Sequence, residues 1–256
     1  MTTRKKVGHL RLIESIGNLT EAQVYWLEKA VAIFSQPYQY QRFSSNLISE
    51  DILNDFGDGL RLHHCFSLEP FSKDKFEYLL QRTLTFRGIK AILSPKAHRG
   101  HDIQIKEARV SLKTQADKEI KPNKIWISKF MELGKSVWGD RQEDLIGLRK
   151  LFFEHLNLYD RIFILRALKK SPDWHYELVE IPKTLLKKAH QGTLEMKHES
   201  KQFPKPGYCY VNDHAGKEIF KLYFDGGREN KLQIKDLDKS SCILHARWEF
   251  HIPPTI

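Results

Sequence analysis

The sequence is short of the features that mark a membrane protein, a disulfide-stapled protein or a nucleotide hydrolase. No apolar run approaches the ~18 residues needed to span a bilayer. The three cysteines, Cys65, Cys209 and Cys242, are scattered and odd in number, so they form no disulfide framework and fit a reducing, cytoplasmic setting. His63-His64-Cys65 has no second ligand pair at a zinc-site spacing, which leaves zinc out. A glycine-rich phosphate loop is missing, which argues against an NTPase; GxSxG and HExxH are missing too, as are internal repeats. The first residues, MTTRKKVGHLRLIES, are basic but carry no apolar core or small-residue cleavage site, so no signal peptide is expected.

What is present is an ordinary globular composition with an excess of positive charge. The 256 residues, 41% hydrophobic and 29% charged, suffice for one large domain or a domain with a subdomain. Lys and Arg number 42 against 32 Asp and Glu, a net charge of +10. A cationic surface concentrates polyanions, which raises nucleic acid among partner classes without deciding for it.

In chain order, residues 20–34 place Val24, Leu27, Val31 and Phe34 on a helical stripe behind Thr20 as cap, with Pro37 as the stop. SEDILNDFGDGL reads as a short helix interrupted by two glycines, and 63–68 as irregular or extended. Ser72 caps KDKFEYLLQRTLTF, whose Phe76, Leu79, Leu80 and Leu84 form a buried stripe with Glu77 at its margin. KIWIS reads as a strand, with Ser128 capping a short helix KFMELGKSVW. A longer helix follows from about Arg141 to Tyr159. RIFILRAL is a near-continuous apolar run of strand length, as in a sheet covered on both faces. YELVEIP is a further strand and KTLLKKAH a short basic helix. This order predicts a mixed α/β sheet with helices packed on it. From Lys201 onward four β segments alternate with turns, Asp225-Gly226-Gly227 being the clearest.

The stretch that carries chemistry is GHDIQIKEARVSLKT, 100–114. Its apolar residues alternate as in a half-buried hairpin. With Glu107-Ala108 as the turn, Asp102 faces Lys113 across the strands, on the side away from Ile103, Ile105 and Leu112. A carboxylate beside an ammonium is either a surface ion pair worth under ~1 kcal/mol or half of a metal-assisted site. Mg²⁺ wants one or two acids plus phosphate oxygens, so a second acid is needed. Ser111 occupies the obvious position. Glu107 lies at the wrong end of the hairpin, leaving Glu132, on the expected helix after the next strand, and Glu77, of which Glu132 is favoured.

The order helix, Asp, short hairpin, xxK, helix resembles the PD-(D/E)XK nuclease core. DILNDFGDGLRLHHCFS, the hairpin, ISKFMELGK, YDRIFILR, LVEIPKTLL, SKQFPKPGYCYV, LYFDGGRENKLQIK and CILHARWEF are similar to the SmaI family of type II restriction endonucleases, from about Ile48 to the C-terminus. The resemblance implies a PD-(D/E)XK restriction-endonuclease-like fold. Residues 1–45 would form an N-terminal helical segment, 46–195 a catalytic α/β core and 196–256 a C-terminal β-rich part that reads DNA. It implies a cytoplasmic homodimer that cuts both strands of a GC-rich palindrome, CCCGGG at its centre to leave blunt ends, with Mg²⁺ as cofactor and a companion DNA methyltransferase in the same system. Asp102 matches the first acid and Lys113 the motif lysine. His101 stands where proline is common, which leaves the chemistry untouched. Ser111 stands where an acid is usual, and some relatives with Ser or Thr there draw a glutamate from the following helix, the role given to Glu132.

Guanine is best read by Arg or Lys in the major groove, for which Arg228, Lys231 and Arg61 are candidates, with Asn230 and Gln233 in support. Lys96, Arg99, Lys201 and Lys205 are candidates for phosphate, and Gln202 belongs to the same surface. The competing readings are a non-catalytic DNA-binding protein on a nuclease-like fold, kept open by Ser111, and an ordinary solvated β meander. A basic protein that binds RNA or an acidic partner has only the net charge behind it.

Overall fold

The computed structural model describes residues 13–95, 98, 100–134 and 138–253. Helices dominate the early part of the described residues. α1 (Glu21–Phe34) begins at a reciprocal cap, in which the Thr20 hydroxyl accepts from the Gln23 amide and the Gln23 side chain accepts from the Thr20 amide. α2 (Glu50–Phe66) and α3 (Lys73–Phe86) are capped by the hydroxyls of Ser49 and Ser72.

A seven-stranded sheet follows, in the spatial order β1 (Tyr38–Arg42), β12 (Ile243–His251), β7 (Asp173–Glu180), β6 (Arg161–Lys169), β4 (Ala108–Gln115), β3 (Ile103–Ile105) and β2 (Ala91–Leu93). β4 and β6 pair in parallel; the other neighbours pair antiparallel. A second, antiparallel sheet runs β5 (Lys124–Glu132), β11 (Lys231–Asp238), β10 (Glu218–Asp225), β9 (Gly207–Asn212) and β8 (Thr193–Met196).

The apolar run of β6 explains how the layers stack. Ile162 and Ile164 enter one buried cluster with Leu148 and Phe152 of α4 (Asp144–Leu156) and the inner face of the small sheet. Phe163, Leu165 and Ala167 enter the other, with Phe56 of α2 and Phe76, Leu80 and Leu84 of α3. Each fully buried Phe or Leu contributes roughly 1.5–3 kcal/mol, so both faces of the large sheet are held by helices.

Four expectations are corrected. α2 is unbroken from Glu50 to Phe66, and His63–Phe66 belongs to it. Its two glycines mark close approach: a Cβ on Gly57 would meet Tyr40 and Trp248, and one on Gly59 would meet Leu79. No helix starts at Ser128, because Lys124–Glu132 is strand β5. Between Ile127 and Met131 it carries extra residues against Leu232–Ile234 of β11. That irregularity puts buried Ile127 and Phe130 three apart and so imitates helical spacing. β12 leaves the C-terminal strands for the large sheet, where it pairs with Tyr38–Arg42, a stretch inside the segment expected to be helical. The hairpin turn is Lys106-Glu107, with Lys106 at φ 54, and the pairs are Ile105 with Ala108 and Ile103 with Val110. The register therefore slides by two residues, a slide that leaves every side chain on the same face and is invisible to apolar alternation.

Strands β6 and β7 are also joined by charge. Both nitrogens of one edge of Arg161 donate to Glu180, at 2.8 and 2.6 Å, and His245 Nε2 lies 2.9 Å from the same carboxylate. Burial alone would raise the Glu180 pKa, but these partners hold it down to about 2 from 4.5. A depressed folded-state pKa stabilises above the unfolded value and loses that stabilisation as pH falls through the folded value. Glu180 thus contributes about 3 kcal/mol that disappears between pH 4.5 and 2. Urea melts of Glu180→Gln should show a stability offset at pH 7 that closes toward pH 2; a pH-independent offset would reject the linkage.

Candidate active site

Asp102 lies just before β3 and is fixed by its own hairpin. Its amide donates to the Val110 carbonyl at 2.9 Å, and its Oδ2 accepts from the Leu112 amide at 2.6 Å and from Ser111 Oγ at 3.2 Å. The aspartate therefore stands opposite Ser111, and Lys113 is its diagonal neighbour on the same face. Ser111 is fully buried and acts as a donor to the acid.

Helix α3 supplies the rest of the charge. Its stripe of Phe76, Leu80 and Leu84 docks on the sheet, and this turns Lys73 and Glu77, one turn apart, toward the hairpin. Lys73 Nζ lies 2.6 Å from Asp102 Oδ1 and 3.3 Å from Glu77 Oε1. Two carboxylates from separate elements thus share one cation. Burial raises the Glu77 pKa, and Asp102 adds to it, while Lys73 opposes both. Lys113 sits deeper, its ammonium 5.7 Å from the centre of the Phe130 ring. Desolvation pushes its pKa down to about 8, against the pull of Asp102 and Glu77. Among the described residues it has no hydrogen bond or ion pair.

Two side chains that sequence reasoning passed over complete the wall. His155, on α4, packs against Phe130 and Tyr159, and burial followed by the charge on Lys113 lowers its pKa to about 4. Burial and the charge on Asp102 raise the Tyr159 pKa. His155 Nε2 and Tyr159 Oη are buried with no hydrogen-bond partner among the described residues. The four-residue spacing of 155 and 159 was a visible signal, absorbed by the apolar reading of that helix. Lys73 was visible too, one turn before Glu77.

The favoured second acid is placed elsewhere. Glu132 is on β5, largely exposed, paired with Lys129 at 2.8 Å and opposite Lys231 of β11. The largest charge effects on Lys113 come from Asp102, Lys73, Glu77 and Lys129. The structure brings Glu77 to Asp102 and does not bring Glu132.

The candidate DNA-contacting residues divide in the same way. Arg61 is corrected: it is buried, donates to the carbonyls of Ile33 and Gln36 and to Asp58, and lies over the Tyr38 ring, so it ties α1 to α2. Gln233 is nearly buried, donating to Asp225 and accepting from Trp126. Arg228, Asn230 and Lys231 lie in and after the β10–β11 turn, where Asn230 adopts φ 41. The loop of Lys201, Gln202 and Lys205 packs against that turn, since Gly226 abuts Pro204 and Gly227 lies beside Gln202. Lys129 bridges the two regions electrostatically, acting on Lys113 and on Glu229. Lys96 and Arg99 lie outside the described residues.

Mg²⁺ fits the two acids. It needs only one or two carboxylates, the remaining positions falling to water and phosphate. The Lys73 ammonium already occupies the place of a shared cation, on a side chain 40% exposed. No group of three or more His, Cys, Asp or Glu ligands exists among the described residues, so the protein alone does not cage an ion. No helix among them is long and apolar enough to cross a membrane.

Comparison with known proteins gives the family. No solved structure matches the chain. The type II restriction enzyme SmaI of Serratia marcescens is 42% identical over 240 residues, which cover 93% of this chain and 95% of that enzyme. The SmaI family of type II site-specific deoxyribonucleases matches residues 12–250, a span that holds the hairpin, α3, α4 and the β10–β11 turn alike. With both matches running nearly the whole length, the chain belongs to the SmaI family of type II site-specific deoxyribonucleases and is a nuclease.

Proposed function

We propose that the chain hydrolyses phosphodiester bonds on both strands of a GC-rich palindrome, CCCGGG cut at the centre, with Asp102, Glu77 and Lys113 at the reacting phosphate and Mg²⁺ as cofactor. The carrying observation is the single cation shared by Asp102 and Glu77 beside Lys113. The PD-(D/E)XK reading is supported by β3, β4, β6 and β7 in order, with β4 and β6 parallel and α3 and α4 on opposite faces.

Asp102 and Glu77 would hold the metal, which when bound supplies Lewis acidity at the phosphate and a more acidic water. The Leu112 amide and Ser111 hydroxyl keep Asp102 aimed. Lys113 orients the attacking water from a pocket walled by Phe130 and His155, where its compact ammonium meets little competing solvent. Lys73 leaves the carboxylates and pairs with the phosphate backbone. Arg228 and Lys231 read guanine, Asn230 supports them, and Lys201, Gln202 and Lys205 meet phosphate beside them. A two-fold homodimer matches the palindrome and places one site on each strand. Residues 46–195 act as the catalytic core and 196–256 as the reading part, in a cytoplasm whose own DNA is protected by a companion methyltransferase.

Supercoiled plasmid with and without Mg²⁺ tests this. Discrete fragments should form only with the metal, and sequencing their ends should return CCC and GGG at blunt termini. Retarded but intact DNA in Mg²⁺ would reject hydrolysis, and other ends would reject the site.

A further inference from the structure

The strongest unexplained surface is at the opposite end of the chain from the reading turn. α1 is apolar around most of its circumference, with Val24, Tyr25, Trp26, Leu27, Val31, Ile33 and Phe34 among its fourteen residues, yet of these described residues only Ile33 is buried. A helix that is apolar all round is ordinarily enclosed. It packs on α2, to which Arg61 ties it through the Ile33 carbonyl.

The exposed aromatic side chains lie in two groups along the α1–α2 seam. Trp26 lies against Phe66 of α2 with ring centres 5.5 Å apart, Tyr25 lies against Trp26 at 5.1 Å, and Phe34 and Tyr38 flank the Arg61 guanidinium. Trp26, Phe66 and Tyr38 are each more than half exposed, at 53%, 56% and 53%. Together with Tyr25, Phe34 and Leu62, one turn before Phe66, they offer roughly 700 Å² of accessible surface. That exceeds the 300–600 Å² patch typical of a monomer and approaches the ~800 Å² per partner of a stable interface.

Charge selects the occupant. α1 carries Glu21, Glu28 and Lys29, a balance of −1 in a chain of net +10. A polyanion is not drawn to such a face, and the Lys- and Arg-rich polar side of a membrane-surface helix is missing. An apolar patch of interface size on helices without net positive charge fits a copy of itself. We infer that the α1–α2 face, centred on Trp26 and Phe66, is the surface through which two copies of this chain pair. This rests on the proposed cutting of both strands of a palindrome, which requires two sites in one assembly.

Sedimentation of the full chain at micromolar concentration tests the inference. Wild type and the control Ile146→Glu, on α4 across the sheet, should run at the dimer mass. Trp26→Glu and Phe66→Glu should dissociate at least about 30-fold more readily, keep the wild-type circular dichroism, and nick supercoiled plasmid before linearising it. Trp26→Glu and Phe66→Glu dimers as tight as wild type would overturn the inference. So would a wild type that stays monomeric alone and on a palindromic duplex; if residues 1–12 then become protease-sensitive only in Trp26→Glu, the chain's own first residues cover the patch. A wild type that dimerises through this face but cuts no DNA would sink the functional reading and leave the interface standing.

Discussion

Asp102→Ala and Lys113→Ala should each lower cleavage by at least about 10³-fold while specific binding to a palindromic duplex, measured in Ca²⁺, survives. The magnitude follows from what is removed. Asp102 is the acid that the backbone amide of Leu112 and the hydroxyl of Ser111 hold in place, and its loss leaves one metal-binding carboxylate. Removal of one preorganised charge at a reacting centre costs roughly 10²–10³-fold, and losing a metal ligand as well adds to that. Lys113 makes no hydrogen bond or ion pair among the described residues and lies half-buried against Phe130. Its truncation therefore removes a charge from the site without breaking a structural bridge, and urea melts should move little. Asp102→Ala differs here, because it releases Lys73 and leaves Ser111 Oγ without its acceptor. Wild-type turnover in either variant would dismiss the site.

The second large effect separates two glutamates. Glu77→Gln should lower cleavage by about 10²-fold or more, and Glu132→Gln by less than about 3-fold, in parallel assays on one plasmid. Glu77 shares a cation with Asp102, so its replacement by an uncharged isostere weakens the hold on a divalent ion directly. The loss should ease as Mg²⁺ concentration rises, because affinity is the injured quantity. Glu132 meets Lys129 on an exposed strand, where an ion pair is worth under ~1 kcal/mol. A severe Glu132→Gln defect beside an active Glu77→Gln would restore the assignment drawn from sequence and overturn the one drawn from geometry.

The contrast shows what the sequence made legible. Asp102 and Lys113 were found because a hairpin of alternating apolar residues declares its faces, and those faces were right. The pairing was wrong by two, because a slide of two preserves the alternation. Only the backbone at Lys106, with φ 54, decides it. Ser111 pointed to an acid from another element, and the structure sets Glu77, not Glu132, near Asp102. Glu132 reads as helix-borne because β5 carries an irregular stretch whose buried Ile127 and Phe130 imitate a helix. Arg61 reads as a DNA contact because Arg suits guanine, and nothing local marks it as buried. Instead Gly57 and Gly59 let Tyr40, Trp248 and Leu79 close onto an unbroken α2, and its arginine is enclosed beneath α1. Contacts between elements distant in the chain, such as Tyr38–Arg42 with β12, leave no local trace.

The division of the acids between hairpin and helix has a thermal consequence. Were both on the hairpin, the pair would persist for as long as β3 and β4 stayed zipped. Glu77 instead reaches Asp102 only while α3 is seated through Phe76, Leu80 and Leu84. If the two acids act as proposed, any local opening that lifts α3 would separate them while β3 and β4 stay paired. Cutting activity is then expected to fall on warming ahead of global unfolding, and to return when α3 reseats.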